Sequence, residues 1–388
     1  MHILLYERNA YTQQDLTQAL MDMGVTLSTF THTFVNKNVD DEFYTAFLQE
    51  LQNYRYDAVM SVNYYPLIAR VCYETDTRYI SWSYDCPLDV RNIEDTLGYP
   101  TNYTFLFDRI QTMKYQNMGF DNVYHLPLAV DTTRLDKIIP SANERKQYGA
   151  DISFVGNLYD SPYNELIEPL PDYTKGFLNG LCDAQFLLYG CYLLDDMINP
   201  DMLQLIDEVY ALHYPTAGFH IIKEELSYTM ATEITHRERL KLLSMLGDLE
   251  NTSVKLFSEK EAPLPPSVIC CGSVDYMTQM PLVFKSSKIN LNITLKCLQS
   301  GVPLRALDIM GCGGFLLSNY QPELAEYFEN GTDFVFYESL EHAKELAAYY
   351  LAHENERTKI AANGYEKVKE HFTYKKQLET IFKVSGLV

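Results

Sequence analysis

Arg305 and Asp308 are two charged side chains three positions apart in a segment of helical character within this 388-residue chain. Residues at that spacing lie on the same face of a helix, so the two side chains should be neighbours. A guanidinium binds two phosphate oxygens at once and keeps its charge, which makes Arg305 the leading candidate for holding a diphosphate. The competing interpretation is a structural ion pair between Arg305 and Asp308.

Polar side chains also alternate along the strand predicted just before this helix. Asn290, Asn292 and Thr294 interleave with apolar residues, so they share one face of the strand. Amides and hydroxyls of this kind can orient the hydroxyl groups of a sugar. Equally, polar residues that alternate on a strand can simply face a wet cleft.

A strand, a helix and a second strand in residues 285–319 must position these groups. Pro303 marks the start of the helix, Gly313 and Gly314 mark its end, and an apolar run follows at 315–317. In open α/β sheets, ligands bind where strand ends meet helix starts, because backbone N–H groups and the helix dipole hold phosphate there. The segment therefore predicts a site for a nucleotide-linked substrate.

Small residues at the corners of the predicted sheet could bring the backbone close to such phosphates. Gly156 and Asn157 follow a predicted strand at 152–155, just as Gly313 and Gly314 precede another. Their backbone N–H groups are candidates for diphosphate contacts. Glycine at such corners also forms ordinary turns.

Composition limits the class of protein. A chain longer than about 250 to 300 residues usually splits into domains, so two are expected. The net charge of −21 argues against binding nucleic acid or an anionic membrane surface through bulk electrostatics. No secretion signal or membrane span is evident, and eight cysteines without a CxxC spacing suggest reduced, buried thiols. A cytoplasmic protein is expected.

Strands and helices alternate through the N-terminal third, which predicts a parallel sheet covered on both faces in residues 1–130. The predicted strands are 3–6, 25–30, 58–62, 79–83, 104–107 and 123–127. The turn after the first strand, residues 7–10, has the sequence Glu-Arg-Asn-Ala. It lacks the GxGxxG pattern, so no dinucleotide cofactor is expected in this Rossmann-like domain.

A second Rossmann-like domain is predicted at 151–373, after a polar linker at 131–150. It includes a helical insertion at about 163–249, where Thr235 and Glu238 predict a capping box at the start of a helix. Two amphipathic helices follow at 340–351, with Ser339 as N-cap, and at 356–371. A final helix in 374–388 is expected to cross back to the N-terminal domain.

Three motifs in the central segment carry a family resemblance. They are Lys-Ile-Asn-Leu-Asn at 288–292, Gly-Val-Pro-Leu-Arg-Ala-Leu-Asp at 301–308 and Cys-Gly-Gly-Phe-Leu at 312–316. The segment resembles the donor-binding region of GT-B glycosyltransferases, and most closely that of the CgeB-like (spore-maturation type) glycosyltransferases. The likeness continues through 322–324 to 371–374, and a weaker one appears at 80–82 and 85–87. It implies a GT-B fold of two Rossmann-like domains facing a cleft.

The resemblance also implies roles for individual residues. Asp308 stands where the family has a carboxylate that accepts hydrogen bonds from both ribose hydroxyls. Ser300 occupies the first acidic position of the E-x7-E pattern of retaining GT-B enzymes, so retention of configuration is not implied. Val274 and Tyr276 lie in the loop at 272–276, which resembles the place where such proteins hold the base. No DxD sequence stands at a strand end, and metal-independent chemistry is predicted.

The N-terminal domain is then expected to supply a base for the acceptor. Asp85 follows the predicted strand 79–83 directly, and His125 stands at another strand end. If Asp85 is buried, its pKa will be raised and it can take a proton from an acceptor hydroxyl. For either residue the alternative is a strand-end side chain that caps a neighbouring helix.

These observations predict a glycosyltransferase that moves a sugar from a nucleoside diphosphate, with UDP-sugar favoured, to an acceptor in a surface glycan, glycolipid or glycoprotein. The nucleotide sugar is a co-substrate, and no bound cofactor is expected. Two alternatives remain. One is a sugar-nucleotide epimerase or hydrolase of the same fold, and the other is an inactive nucleotide-binding scaffold subunit.

Overall fold

A computed structural model describes residues 1–8, 11–88, 90–216, 218–260 and 262–388. Asn9 and Ala10, part of the turn considered above, lie outside the described residues. The chain forms two compact units. The first comprises Met1–Leu135, Ser300–Gly311 and Glu366–Val388, and the second comprises Asp136–Gln299 and Cys312–Tyr365.

Each unit is built on one six-stranded sheet in which all pairings are parallel. The strands of the first sheet are β1 His2–Tyr6, β2 Thr26–Phe30, β3 Ala58–Val62, β4 Tyr79–Ser83, β5 Asn102–Leu106 and β6 Val123–His125. The strands of the second sheet are β7 Ile152–Val155, β8 Val254–Phe257, β9 Val268–Cys270, β10 Ile289–Asn292, β11 Leu316–Asn319 and β12 Val335–Tyr337.

Helices connect these strands. Those up to the end of the insertion are α1 Gln13–Asp22, α2 Asp41–Asn53, α3 Pro66–Glu74, α4 Glu94–Leu97, α5 Arg109–Asn117, α6 Thr132–Lys137, α7 Ala142–Tyr148, α8 Tyr163–Ile167, α9 Asp172–Phe186, α10 Leu194–Met197, α11 Pro200–His213 and α12 Lys223–Gly247. The remaining helices are α13 Met280–Ser286, α14 Leu304–Gly311, α15 Pro322–Tyr327, α16 Leu340–Ala352, α17 Glu354–His371 and α18 Tyr374–Val384.

The strand order places a topological switch point in each sheet. The first sheet runs β2-β1-β3-β4-β5-β6, and the second runs β12-β11-β10-β7-β8-β9. The order reverses between β1 and β3 in one and between β7 and β10 in the other. Ligands of open α/β sheets bind outside the carboxyl ends of the strands at such points. Each unit therefore has one preferred location for a ligand.

The central strands are buried on both faces, which explains their continuous apolar character. All five residues of β3 and of β4 are buried, as are the four residues of β7 and of β10. A parallel sheet covered by helices on both faces leaves no strand face for water. The predicted alternation of strands and helices is confirmed in both units.

The helical insertion has a core of its own, formed by apolar residues of α8 to α12. Helix α12 runs on from this core to the second sheet, where Leu242, Leu243 and Leu246 join the sheet core. The predicted capping box at Thr235 and Glu238 is wrong. Both residues lie in the middle of α12, because tertiary packing continues the helix upstream to Lys223.

Other local predictions differ in extent. The stretch predicted as a polar linker contains α6 and α7, the latter capped by a box between Ser141 and Glu144. Ser339 does cap α16, accepting a hydrogen bond from the backbone N–H of His342. Three of the thiols expected to be buried, Cys191, Cys270 and Cys271, are exposed.

The end of the chain lies in the first unit. Val130 N–H donates to the Phe372 carbonyl, and α18 packs on α1. Ser300–Gly311 also belongs to this unit, although the sequence-based division assigns it to the second domain. The domain boundaries predicted from the sequence stay a prediction. No helix in the described ranges combines the length and apolar character needed to cross a membrane.

Candidate functional site

A cavity of about 420 Å³ opens at the switch point of the first sheet. The ends of β1, β3 and β4 supply Arg8, Asn63 and Asp85 to its lining. The other described lining residues are Phe34, Val35, Lys37, Tyr64, Tyr65, Leu88 and Val90. Charged, amide and aromatic side chains thus converge where the strand order reverses.

Asn63 holds Asp85 in a defined orientation. The Asn63 amide donates to the Asp85 carboxylate over 2.6 Å, and its carbonyl oxygen accepts the backbone N–H groups of Tyr84 and Asp85. Asn63 has a φ of 68°, in the left-handed region that asparagine tolerates better than most residues. The burial on which the expected role of Asp85 depended is not found, because its side chain is exposed.

Arg8 is a cavity residue that sequence reasoning missed. Its guanidinium carbon lies 4.4 Å from the centre of the Phe34 ring and 5.9 Å from that of Tyr65. Burial raises the pKa of the Tyr65 phenol, which the Arg8 charge opposes and the Asp85 charge reinforces. The only available signal was its position two residues after the first strand.

His125 is the last residue of β6, an edge strand separated from β4 by β5. It is half-buried and does not belong to the described lining of the cavity. The structure therefore brings only one of the two candidate bases, Asp85, to the switch point.

Arg305 and Asp308 form the ion pair that their spacing predicts. The Arg305 Nη1 atom lies 3.2 Å from Asp308 Oδ2, and the Asp308 side chain is almost fully buried. Burial raises the pKa of Tyr84, and the negative charges of Asp15 and Asp308 add to this shift. The hydrogen bond from Tyr84 to Tyr374 acts in the opposite direction. Asp308 thus belongs to a polar cluster of the first unit.

Ser300 is tied to Asp108, another residue that sequence reasoning missed. The fully buried Asp108 carboxylate accepts the backbone N–H groups of Ser300 and Gly301 over 2.8 and 3.1 Å, and the Ser300 hydroxyl over 3.2 Å. The same carboxylate caps α5 through the Gln111 N–H. A Cβ on Gly301 would approach the Phe107 carbonyl oxygen to 2.7 Å, so the loop before α14 is held closely.

The predicted donor-binding residues of β10 lie in the second unit, in an internal network. Asn290 accepts from the Ser153 hydroxyl, and Asn292 donates to the hydroxyls of Thr294 and Ser318. Asn290 is 0% and Asn292 3% exposed, so the interpretation that they face a wet cleft is wrong. Their polar groups connect β7, β10 and β11, and their assignment to donor binding stays a prediction.

The backbone groups at the second switch point also have internal partners. The Gly156 N–H donates to the Phe257 carbonyl over 3.1 Å, and the Asn157 side chain accepts the Tyr159 N–H over 2.7 Å. The expected approach of the Gly156 N–H to a diphosphate therefore competes with a strand hydrogen bond. Asn157 forms a local turn.

Arg239 of α12 crosses this switch point and was not singled out from the sequence. Its guanidinium donates to the carbonyl oxygens of Asn157 and Ile293, which follow β7 and β10. It lies over the rings of Phe154 and Tyr159. Burial lowers the pKa of Arg239, and the Tyr159 and Glu238 groups oppose that shift.

A buried ion pair links the loop after β10 to α12. Lys296 Nζ lies 3.0 Å from Glu238 Oε2, and the Tyr189 hydroxyl donates to Glu238 Oε1 over 2.7 Å. Burial raises the pKa of Tyr189, and the negative charge of Glu238 adds to the effect. The sequence signal for this pair was a lysine within an apolar run.

Most of the remaining predicted site residues lie in the loops after β9 and before β11 of the second unit. Gly313 is exposed with a φ of 71°, and a Cβ there would meet open space, while Gly314 is buried. Val274 and Tyr276 are half-buried in the loop after β9. In the part of the chain that the structure describes, no three His, Cys, Asp or Glu side chains group to hold a metal ion.

The chain forms two parallel six-stranded sheets with helices. This α/β architecture matches the fold of solved GT-B glycosyltransferases. A family model described as "Glycosyl transferase-like" matches residues 242–383. The Anabaena protein Alr3699/HepE, solved with UDP-glucose, is 11% identical with a TM-score of 0.54, over 100% of both chains.

Two further solved structures share the fold. The sucrose-phosphate synthase of Thermosynechococcus elongatus is 11% identical with a TM-score of 0.58, over 100% of this chain and 98% of that one. WaaG, a glycosyltransferase involved in lipopolysaccharide biosynthesis, is 11% identical with a TM-score of 0.53, over 100% of both chains. No curated protein matches the sequence.

Proposed function

We propose that this protein is a glycosyltransferase that moves a sugar from a nucleoside diphosphate, a UDP-sugar in the first instance, to a hydroxyl of a surface glycan, glycolipid or glycoprotein. The observation that carries the proposal is the ion pair of Arg305 and Asp308, which lies within the family match at 242–383 on a chain of GT-B fold. The UDP-glucose complex of HepE supports the choice of donor.

In this proposal the two side chains of α14 bind the donor. Asp308 accepts hydrogen bonds from the ribose hydroxyls, because a carboxylate can accept two at once. Arg305 neutralises the diphosphate, and the ion pair fixes both side chains before the donor arrives.

Asp85 serves as the base in the same proposal. The acceptor oxygen forms a bond to the anomeric carbon while the bond from that carbon to the diphosphate oxygen breaks. The electron pair of the broken bond leaves with the nucleoside diphosphate, and Asp85 takes the proton of the acceptor hydroxyl. Asn63 orients the carboxylate for this step.

The finer parts of the proposal rest on the sequence and its family resemblance. The chain belongs with the CgeB-like glycosyltransferases, works in the cytoplasm and needs no metal, since Arg305 supplies the positive charge. Val274 and Tyr276 hold the base, and Gly313 and Gly314 allow close approach of the backbone. Loss of activity in EDTA that Mg²⁺ or Mn²⁺ restores would contradict the metal-independent part.

The test is donor turnover by the full chain with UDP-sugars, followed as released UDP. We expect Asp308→Ala and Arg305→Ala each to lower turnover about 100-fold or more, because each removes an interaction with the departing group. Arg237→Ala is the control, since it removes an arginine from an ion pair with Glu233 on α12. Unchanged turnover in both α14 variants would overturn the site.

The two alternatives are distinguished in the same experiment. A new sugar nucleotide formed without acceptor would identify an epimerase, and free sugar formed at the same rate with or without acceptor would identify a hydrolase. UDP at 100 times its dissociation constant should stabilise the fold by about 2.7 kcal/mol. That stabilisation without turnover over a broad acceptor panel would identify a scaffold subunit.

A further inference from the structure

The cavity of the first unit contains an arginine that is placed to meet an anion. Arg8 is exposed, and its guanidinium lies over the Phe34 ring, which is itself buried. Within the described ranges, no carboxylate forms an ion pair with Arg8. Arg8 is also hydrogen-bonded to the Tyr65 hydroxyl. A guanidinium has five N–H donors, and those that Tyr65 does not occupy match the paired oxygens of a carboxylate or phosphate.

The described lining of the cavity contains positive charge, although the chain as a whole is acidic. Its described lining contains two cationic residues, Arg8 and Lys37, and one anionic residue, Asp85. The chain as a whole carries a net charge of −21. The exposed Arg8 charge in such a protein favours a negatively charged ligand at this position.

We propose that the cavity binds the acceptor sugar through an anionic substituent, a carboxylate or a phosphate, which Arg8 holds. The proposal rests on the function proposed above and names the class of its acceptor, an acidic sugar.

The positions of the two charges give the acceptor one orientation. Asp85 repels an anionic substituent, so that group points to Arg8 and a neutral hydroxyl meets the carboxylate that Asn63 orients. A volume of about 420 Å³ lies in the range of natural small-molecule pockets.

Direct binding to the full chain tests the proposal without any turnover. The probes are glucuronate, glucose 6-phosphate and glucose, titrated against the wild-type chain and the Arg8→Gln and Arg55→Gln variants. Arg55 is an exposed arginine of the same unit outside the described lining of the cavity. We expect at least one acidic sugar to bind about tenfold or more tightly than glucose, because charged hydrogen bonds carry that much discrimination.

The variants identify the residue responsible. Arg8→Gln should remove the preference for the acidic sugar, and Arg55→Gln should keep it. If Arg8→Gln weakens the binding of glucuronate more than that of glucose 6-phosphate, the substituent is a carboxylate. If it weakens the binding of glucose 6-phosphate more, the substituent is a phosphate. Equal binding of all three sugars, or an unchanged preference in Arg8→Gln, would overturn the proposal.

Stabilisation by UDP, measured on the same samples, separates this proposal from the function on which it rests. We expect Arg8→Gln to keep the UDP response. If UDP displaced the acidic sugar and Arg8→Gln weakened UDP as well, the anion site would belong to the donor. The acceptor class would then be wrong while the glycosyltransferase proposal stood.

Discussion

At the scale of single residues, Asp108 shows how much one buried carboxylate can organise. It caps α5 and accepts three hydrogen bonds from Ser300 and Gly301, next to the helix that carries Arg305 and Asp308. Buried donors left without partners cost free energy, so the loop and the cap depend on the same side chain. The position of α14 in the first unit follows from these contacts.

Asp108→Ala should therefore lower the free energy of unfolding by about 3 kcal/mol, because several buried N–H groups lose a charged acceptor. Asn199→Ala is the matched control, since Asn199 caps α11 through the Met202 N–H at an exposed position. Its loss should cost about 1 kcal/mol. Urea unfolding of both variants measures the difference, and equal losses would show that the loop does not depend on Asp108.

At the scale of secondary structure, Asp151 joins the starting ends of β7, β8 and β10. Its carboxylate accepts the N–H and hydroxyl of Ser253 over 2.8 and 2.7 Å and pairs with Lys288 Nζ at 2.7 Å. Burial acts to raise the pKa of Asp151, but the hydrogen bonds from Lys288 and Ser253 together lower it. The ionised form is therefore favoured in the folded state.

This shift predicts a pH dependence of stability. A carboxylate whose folded pKa lies below its unfolded value, about 3.9, stabilises the fold above that pH. The contribution is lost as the pH falls through the folded pKa. Asp151→Asn should lower the free energy of unfolding by about 1 kcal/mol at pH 7, a modest loss because Lys288 is half exposed.

Urea unfolding of the wild-type chain and Asp151→Asn between pH 3 and pH 7 tests this. The difference in the free energy of unfolding between the two proteins should be constant above about pH 5 and shrink below about pH 4. A difference independent of pH over the whole range would mean that Asp151 acts through its shape and not through its charge.

At the scale of the whole molecule, the C-terminal helix completes the first unit. Leu378, Ile381 and Phe382 of α18 are buried, and the Tyr374 ring lies 5.9 Å from that of Trp82. Trp82 is fully buried and is the chain's single tryptophan. Its fluorescence therefore reports on the unit to which the end of the chain returns.

Leu378→Ala should lower the stability of the first unit by about 3 kcal/mol, since it opens a cavity at a fully buried position. Val384→Ala is the control on the same helix, because Val384 is 37% exposed and its truncation should change stability by less than about 0.5 kcal/mol. Trp82 fluorescence during urea unfolding measures both. If Leu378→Ala left the urea midpoint of the Trp82 transition unchanged, α18 would not contribute to the stability of this unit.

Local spacing in the sequence determined much of this molecule. The alternation of apolar runs predicted two parallel α/β sheets, and the three-residue spacing predicted the neighbourhood of Arg305 and Asp308 on α14. Ser339 as a helix cap was likewise readable from the sequence. These features depend on backbone periodicity and on partners a few residues away, which a single sequence contains.

Only the tertiary structure decided which polar groups have partners distant in the chain. It tied Ser300 to Asp108, buried Asn290 and Asn292 in a network across three strands, and left Asp85 exposed beside Asn63. It also brought Arg8 to the cavity and Arg239 across the second switch point. Strand order and the packing of α12 create these contacts. The spacing of residues along the chain does not determine which distant groups come into contact.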